Sequence, residues 1–316
     1  MLETAYKLDS DTPHYAWDNA LPPKLTIESG ETVTMHCQCA AGIPIRADTT
    51  LADMPGFAGH ALTGPIAIRG AMPGDTLEIE VLALTPGPFG FTSIIPGLGL
   101  LPGDFDTAQM FIWDLANDPA PFAPGIHVPL EPFLGVMGVA LAEPGEHSTL
   151  PPRRNAGNVD TKQLTVGSRM LLPVLVEGAL FSAGDGHAAQ GDGEVCVTAI
   201  ETEMTATLRF TLHKGLATPE FQFVTGPLLT RTNDAGWFAT TGHAPDLMEA
   251  SQNAVRHMIT SLVARAGLTR EQAYMLCSVA VDLKISEVVD APNWVVSAFL
   301  PLSIFDDPKL MATFGS

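Results

Sequence analysis

The chain has 316 residues, enough for one large or two ordinary domains with a sizeable core, and its 46% hydrophobic and 16% charged content excludes a disordered chain. Sixteen Lys and Arg against thirty-five Asp and Glu leave a net charge of -19, which repels phosphate backbones and anionic lipid, so no nucleic acid and no membrane are expected as partners. The opening Met1-Leu-Glu-Thr-Ala-Tyr-Lys-Leu-Asp has neither a basic nor an apolar targeting region, and no run of about eighteen apolar residues occurs, so a soluble, cytoplasmic protein with part of its surface hidden in an oligomer is expected.

Twenty-nine glycines and twenty-six prolines break the first two-thirds of the chain into short segments, the texture of a β-rich fold. Lys24-Leu-Thr-Ile-Glu, Thr32-Val-Thr-Met-His, Pro65-Ile-Ala-Ile-Arg, Asp75-Thr-Leu-Glu-Ile-Glu-Val-Leu-Ala-Leu, Met170-Leu-Leu-Pro-Val-Leu-Val and Glu194-Val-Cys-Val-Thr-Ala-Ile-Glu alternate or run apolar over strand lengths. Residues 89–132, with Pro96-Gly-Leu-Gly-Leu-Leu-Pro-Gly, read as a long irregular excursion that covers a site or builds a subunit contact. Asp246-Leu-Met-Glu249 opens a helix through about Ala266, and Thr269-Arg-Glu-Gln272 opens a second through about Val281, each with the spacing of a capping box. Ile285-Ser-Glu-Val-Val and Trp294-Val-Val-Ser-Ala-Phe-Leu return to strand. The expected fold class is α+β, mainly β: a short-stranded β-sandwich or barrel body over residues 1–212 that carries the site, and an α+β part with two helices over 213–316 packed on it.

Chemistry concentrates in Gly178-Ala-Leu-Phe-Ser-Ala-Gly-Asp-Gly-His-Ala-Ala-Gln-Gly-Asp-Gly-Glu194, which crowds Asp185, His187, Gln190 and Glu194 into glycine-rich backbone. Asp185 and His187 are two apart, so in extended chain they point the same way and can grip one metal ion, although a surface turn with scattered polar residues has the same spacing. Gly59-His60-Ala-Leu-Thr-Gly64 and His187-Ala-Ala-Gln-Gly191 both place His-Ala-x-x-Gly ahead of a predicted strand. If those units pack face to face, His60 joins Asp185 and His187 as the third ligand.

Other chemistries find no support. There is no Gly-x-Ser-x-Gly elbow, His-Glu-x-x-His, Walker loop or Gly-x-Gly-x-x-Gly. Cys277 falls inside a helix, Cys37 and Cys39 in an alternating strand, and Cys196 in an apolar run, so the four cysteines read as small core residues. His257 falls on the polar side of the first helix. A metal-activated water with carboxylate help remains, or no catalysis.

The elements His14-Tyr-Ala-Trp17-Asp18-Asn, Gly59-His60-Ala-Leu-Thr-Gly-Pro65, Met72-Pro-Gly-Asp-Thr-Leu, Asn158-Val-Asp160-Thr-Lys162, the block from Leu172 to Glu194, and Ala273-Tyr-Met-Leu-Cys-Ser-Val-Ala-Val-Asp282 resemble the acetamidase/formamidase family in content and order. Ala156 stands where that family usually has glycine, and residues 90–132 follow a pattern of their own. The resemblance implies hydrolysis of a short aliphatic amide, formamide or acetamide, to its acid and ammonia, in a β-rich homo-oligomer. His60, Asp185 and His187 would then hold a divalent metal, zinc by their mixed nitrogen and oxygen donors, with calcium open in so acidic a chain. A bound water of lowered pKa would attack the carbonyl, with Glu194 or Asp160 carrying its proton to the departing nitrogen and Lys162 stabilising the oxyanion or holding Asp160 ionised. His14, Trp17, Asn158 and Gln190 are expected at the pocket of the small neutral amide. The alternative is a non-hydrolytic cupin-like metal enzyme or a metal-stabilised small-molecule binding protein.

Overall fold

The computed structural model describes residues 6–226 and 235–315; Met1–Ala5, part of the stretch read above as free of a targeting segment, lies outside them. Two large sheets form the body. The first has six strands in the spatial order Tyr6–Leu8, Thr32–Cys37, Met204–His213, Thr76–Pro86, Arg169–Pro173 and Gln222–Val224. Its strands alternate as expected: Val33, Met35 and Cys37 are buried while Thr32, Thr34 and His36 are not. The second runs Ala156–Asn158, Phe133–Gly138, Phe181–His187, Glu201–Thr202, Phe89–Ile94 and Gln109–Asp114, with Leu62–Ile68 also pairing with Phe181–His187 and with Leu25–Ile27.

Leu62–Ile68, Phe133–Gly138 and Phe181–His187 are buried at every position, so this sheet is covered on both faces and its strands show no polar alternation. One core lies between the sheets, where Met35, Ile79 and Met204 of the first meet Leu134, Met137 and Phe181 of the second. Ala156 adopts a φ of 67°, a left-handed conformation that accounts for the glycine expected there.

A second core joins the C-terminal helices to residues of the 89–132 excursion, among them Ile94, Phe105, Trp113 and Ile126, and to Ala188, Val195 and Ile200 beside the site. Helix α1 (Leu247–Ala266) starts where the Asp246 carboxylate accepts from Glu249 N at 3.0 Å and stops at Gly267, whose φ is 68°. Helix α2 (Arg270–Ala280) is capped by the reciprocal Thr269–Gln272 pair. The three-stranded sheet Trp237–Ala244, Trp294–Pro301 and Asp282–Glu287 packs on α1, and a third helix, α3 (Pro308–Gly315), which the pattern did not signal, closes the chain. No described helix is long and apolar enough to cross a membrane. The four cysteines are buried and free, and burial pushes the Cys37 thiol up to about 12.

Three expectations are corrected. The excursion is not structureless: Phe89–Ile94 and Gln109–Asp114 form a hairpin in the site-bearing sheet, and Ala120–Ala123 pairs with Ile126–Val128. The Gly- and Pro-rich run is confined to the connection, while the aromatic stretches on either side pair. Glu194–Ile200 is not a strand, and only Glu201–Thr202 pairs. Glu194 and Val197 have φ of 42° and 79°, and the backbone there is held from outside the sheet: Gly191 N donates to Ser278 O at 2.8 Å, Cys196 N to Ser278 Oγ at 3.1 Å, and Tyr274 Oη to Val195 O. The two His-Ala-x-x-Gly units do not pack face to face as two entries into strands: His60 precedes the strand Leu62–Ile68, but His187 ends the strand Phe181–His187, which pairs edge to edge with it, Gly184 opposite Leu62.

Candidate metal centre

His187 ends the strand Phe181–His187 and sits at the middle of the site. Its Nε2 lies 3.4 Å from Asp185 Oδ2, 3.3 Å from Glu201 Oε2 and 3.9 Å from Glu194 Oε1. His60, just ahead of the strand Leu62–Ile68, brings its Nε2 to 3.8 Å from Asp185 Oδ2. Thr149 fixes that ring: its Oγ1 accepts from His60 N at 2.8 Å and lies 3.0 Å from Nδ1. Asp160 completes the group, with ligand atoms of Asp160, Asp185 and His187 all within 4.8 Å of one another, as are those of His187, Glu194 and Glu201.

Gln190 sets the orientation of the central imidazole. Its Nε2 donates to Asp160 O at 2.7 Å, which turns its Oε1 toward His187 Nδ1 at 3.0 Å. An amide oxygen only accepts, so the proton of a neutral His187 sits on Nδ1 and the lone pair of Nε2 faces the carboxylates. Asp160, Asp185 and Glu194 have φ of 41°, 59° and 42°, left-handed conformations that are costly for residues with a side chain and persist only where the surrounding structure over-determines them.

The charges do not balance within the chain. Four carboxyls and two imidazoles share the site, and the side chains of Asp185, His187 and Glu201 are at most 4% exposed. Desolvation pushes the Asp160 carboxyl up to about 7 and that of Glu201 up to about 8, each reinforced by the Asp185 charge. Desolvation, then the neighbouring Asp160 carboxyl, also drives Glu194 well upward. Desolvation opposes ionisation of Asp185 as well, but His187 and His60 outweigh it and hold that carboxyl low. For His187 desolvation favours the neutral ring, yet Glu201 and Asp185 raise it well above the ordinary imidazole value. Desolvation lowers His60. Each free carboxylate here calls for positive charge. Asp160 Oδ1, Asp185 Oδ1, Glu201 Oε2 and His187 Nε2 are buried without a hydrogen-bond partner, so the residues fit a divalent cation with nitrogen and carboxylate donors.

The structure gathers His60, Asp160, Asp185, His187, Gln190 and Glu194 from the expected set, and adds Glu201. The sequence signal for Glu201 is an acidic residue following Val-Thr-Ala-Ile in an apolar run, which the structure buries. The remaining four have other engagements. The Lys162 ammonium bonds Asp282 Oδ1 at the start of the strand Asp282–Glu287, rather than Asp160. Both ring nitrogens of His14 are taken, by Ala16 O at 2.8 Å and Ser182 Oγ at 2.9 Å, and desolvation lowers its pKa. Trp17 is buried against Gly157 and clusters with Leu62, Val136 and Leu141. Asn158 Nδ2 donates to Leu150 O at 3.1 Å and its Oδ1 has no partner. His257 is exposed on α1, as expected.

Comparison with known proteins agrees with this architecture. Residues 2–144 and 140–307 match the model of the acetamidase/formamidase family. A formamidase from Methylophilus methylotrophus is 26% identical, in an alignment covering 99% of this chain and 98% of that protein. Among solved structures, a gamma lactamase from Delftia acidovorans aligns with a TM-score of 0.88 at 26% identity, covering 96% of this chain and 94% of that one. An acetamidase from Bacillus halodurans aligns with a TM-score of 0.67 at 30% identity, covering 94% and 97%. With the family model matched along nearly its whole length, the chain belongs to the acetamidase/formamidase family.

Proposed function

We propose that this protein hydrolyses the carbon–nitrogen bond of a small neutral amide, with formamide and acetamide as first substrates, at the centre around His187. The observation that carries the reading is the set of four buried, partnerless donor atoms from Asp160, Asp185, His187 and Glu201. His60, Asp185 and His187, joined by Glu201, would hold a divalent ion, zinc by the balance of nitrogen and oxygen donors, and that ion when bound would supply Lewis acidity and a water of pKa near 7.

The protein's own residues divide the remaining work by exposure. Asp185 and Glu201 are the driest carboxyls, with side chains 4% and 3% exposed, and hold charge in place. Glu194, 16% exposed, and the half-buried Asp160 lie where solvent and substrate arrive. A carboxylate there accepts the proton of the attacking water and delivers it to the departing nitrogen, without which an amide does not release its amine. Gln190 keeps His187 in one tautomer throughout. Lys162 anchors the Asp160 segment to the C-terminal strand through Asp282.

A second substrate class, cyclic amides, is favoured by the high structural similarity to the Delftia gamma lactamase. The test is product release from formamide, acetamide and a five-membered lactam, before and after chelation. Ammonia from either open-chain amide, lost with chelator and restored by zinc, supports the reading; ring opening alone moves the substrate to the lactams. No turnover of any of the three contradicts it, and dioxygen consumption would point to the non-hydrolytic alternative.

A further inference from the structure

Gly135 lies in the strand Phe133–Gly138, where its neighbours Leu134 and Val136 pair with Gly186 and Gly184, so that it is level with Asp185. On its other side the Gly135 carbonyl accepts from Val159 N at 3.2 Å and Asp160 N at 3.3 Å. It is thus the backbone point at which the two carboxyl-bearing segments meet. Gly135 is not among the residues with positive φ, so its conformation does not demand glycine. Space does: a Cβ there would fall 2.7 Å from Asp160 Oδ1, 2.8 Å from Asp185 Oδ2 and 2.8 Å from His187 Cε1. These belong to the three residues whose ligand atoms lie within 4.8 Å of one another.

We propose that Gly135 is a positioning residue for the metal centre: its missing side chain leaves room for Asp185 and His187 to hold the divalent cation with the Asp160 carboxyl beside it. The inference rests on the function proposed above. A methyl at this point forces the three side chains apart by several tenths of an ångström, whereas metal–ligand distances are held to about 0.2 Å, so the displacement weakens binding even where the fold absorbs it. Asp160 Oδ1 is the end of a half-buried side chain, whereas Asp185 Oδ2 and His187 Cε1 belong to side chains at most 4% exposed, so the methyl is accommodated by displacing the ligand set itself. A merely structural glycine would behave differently, since its replacement would lower stability equally with and without the ion.

The experiment compares wild type and Gly135→Ala by calorimetric titration with zinc and by thermal unfolding with chelator and with zinc. The expected result is a zinc affinity lower by about tenfold or more, with loss of the zinc-dependent rise in Tm. Equal affinity in the two proteins overturns the proposal. Should Gly135→Ala not fold, Gly135→Ala/Asp160→Ala is titrated beside Asp160→Ala, where the atom nearest the new methyl is gone. A further tenfold loss, roughly, in the double variant upholds the proposal; equal binding, including none by either, overturns it. Wild type that takes up no divalent ion defeats the proposed function itself, whereas ion-binding wild type with an unaffected variant defeats only the role of Gly135.

Discussion

Two buried carboxylate sites in this chain are completed in opposite ways. Asp75 accepts from Lys214 Nζ at 2.6 Å, Gly215 N at 2.9 Å and Met72 N at 2.9 Å, and the Lys214 hydrogen bond leads the effects that hold its carboxyl at about 2. Around His187 four carboxyls gather with two imidazoles, donor atoms stay unpartnered, and desolvation pushes Asp160 and Glu201 up to about 7 and about 8. Folding alone satisfies the first. The second is a constellation that the chain makes costly, with three residues at positive φ, and leaves in need of positive charge. A carboxylate whose cation and amide donors come from its own chain is a structural joint; one that keeps free oxygens after folding has room for a cation from outside.

That contrast can be broken by substitution, and the largest effect is expected at His187. His187→Ala is predicted to abolish ion content and amide hydrolysis together while circular dichroism stays native; full ion stoichiometry in the variant would remove His187 from the ligand set. Glu194→Gln comes next. If Glu194 carries the proton, kcat falls by about a hundredfold or more with zinc still bound, and unchanged kcat would transfer the role to Asp160. Gln190→Leu, which frees His187 Nδ1, is expected to weaken zinc binding by about 10- to 100-fold, read by competition with a chromophoric chelator.

At the joint the effects move to stability. Asp75→Asn should cost about 1 to 3 kcal/mol in urea unfolding, with zinc affinity unchanged. Its pH signature follows from the sign of the shift. The folded pKa of about 2 lies below the unfolded value of about 3.9, so the contribution is complete above the unfolded value and is lost as pH falls through about 2. Wild type and Asp75→Asn should therefore converge in stability on acidification over that window; a constant gap would mean that the carboxylate charge is not what matters. Lys214→Ala is the smallest change, about 1 kcal/mol or less, because the Lys214 side chain is 60% exposed.

The same contrast shows what the sequence made legible. Local signals read well: the Asp246 and Thr269 caps begin helices where expected, and the alternation Thr32-Val-Thr-Met-His marks a strand with one wet face. Asp185 and His187 were legible because both belong to one short glycine-rich segment. What escaped depends on partners distant in sequence. Val195–Ile200 has a strand's composition but is held by Tyr274 and Ser278 of α2, some eighty residues away. Lys162, expected to stabilise the oxyanion or to hold Asp160 ionised, instead has its ammonium bonded to Asp282, 120 residues on. Glu201 gave only the faint signal of an acid ending an apolar run, and Gly135 none, since one is placed by its register opposite His187 and the other matters through a side chain it lacks. Trp17 and His14 carried aromatic and imidazole chemistry that the fold spends on packing and on Ser182.

The central claim is that the group around His187 is closed by a divalent cation and hydrolyses amides only when so closed. The most direct test is ammonia release from formamide and acetamide by one preparation, measured as isolated, after exhaustive chelation and after titration back with zinc, with bound metal quantified at each stage. The account predicts that activity rises in proportion to ion bound, to one catalytic equivalent per chain. Turnover that persists undiminished in metal-free protein would contradict it.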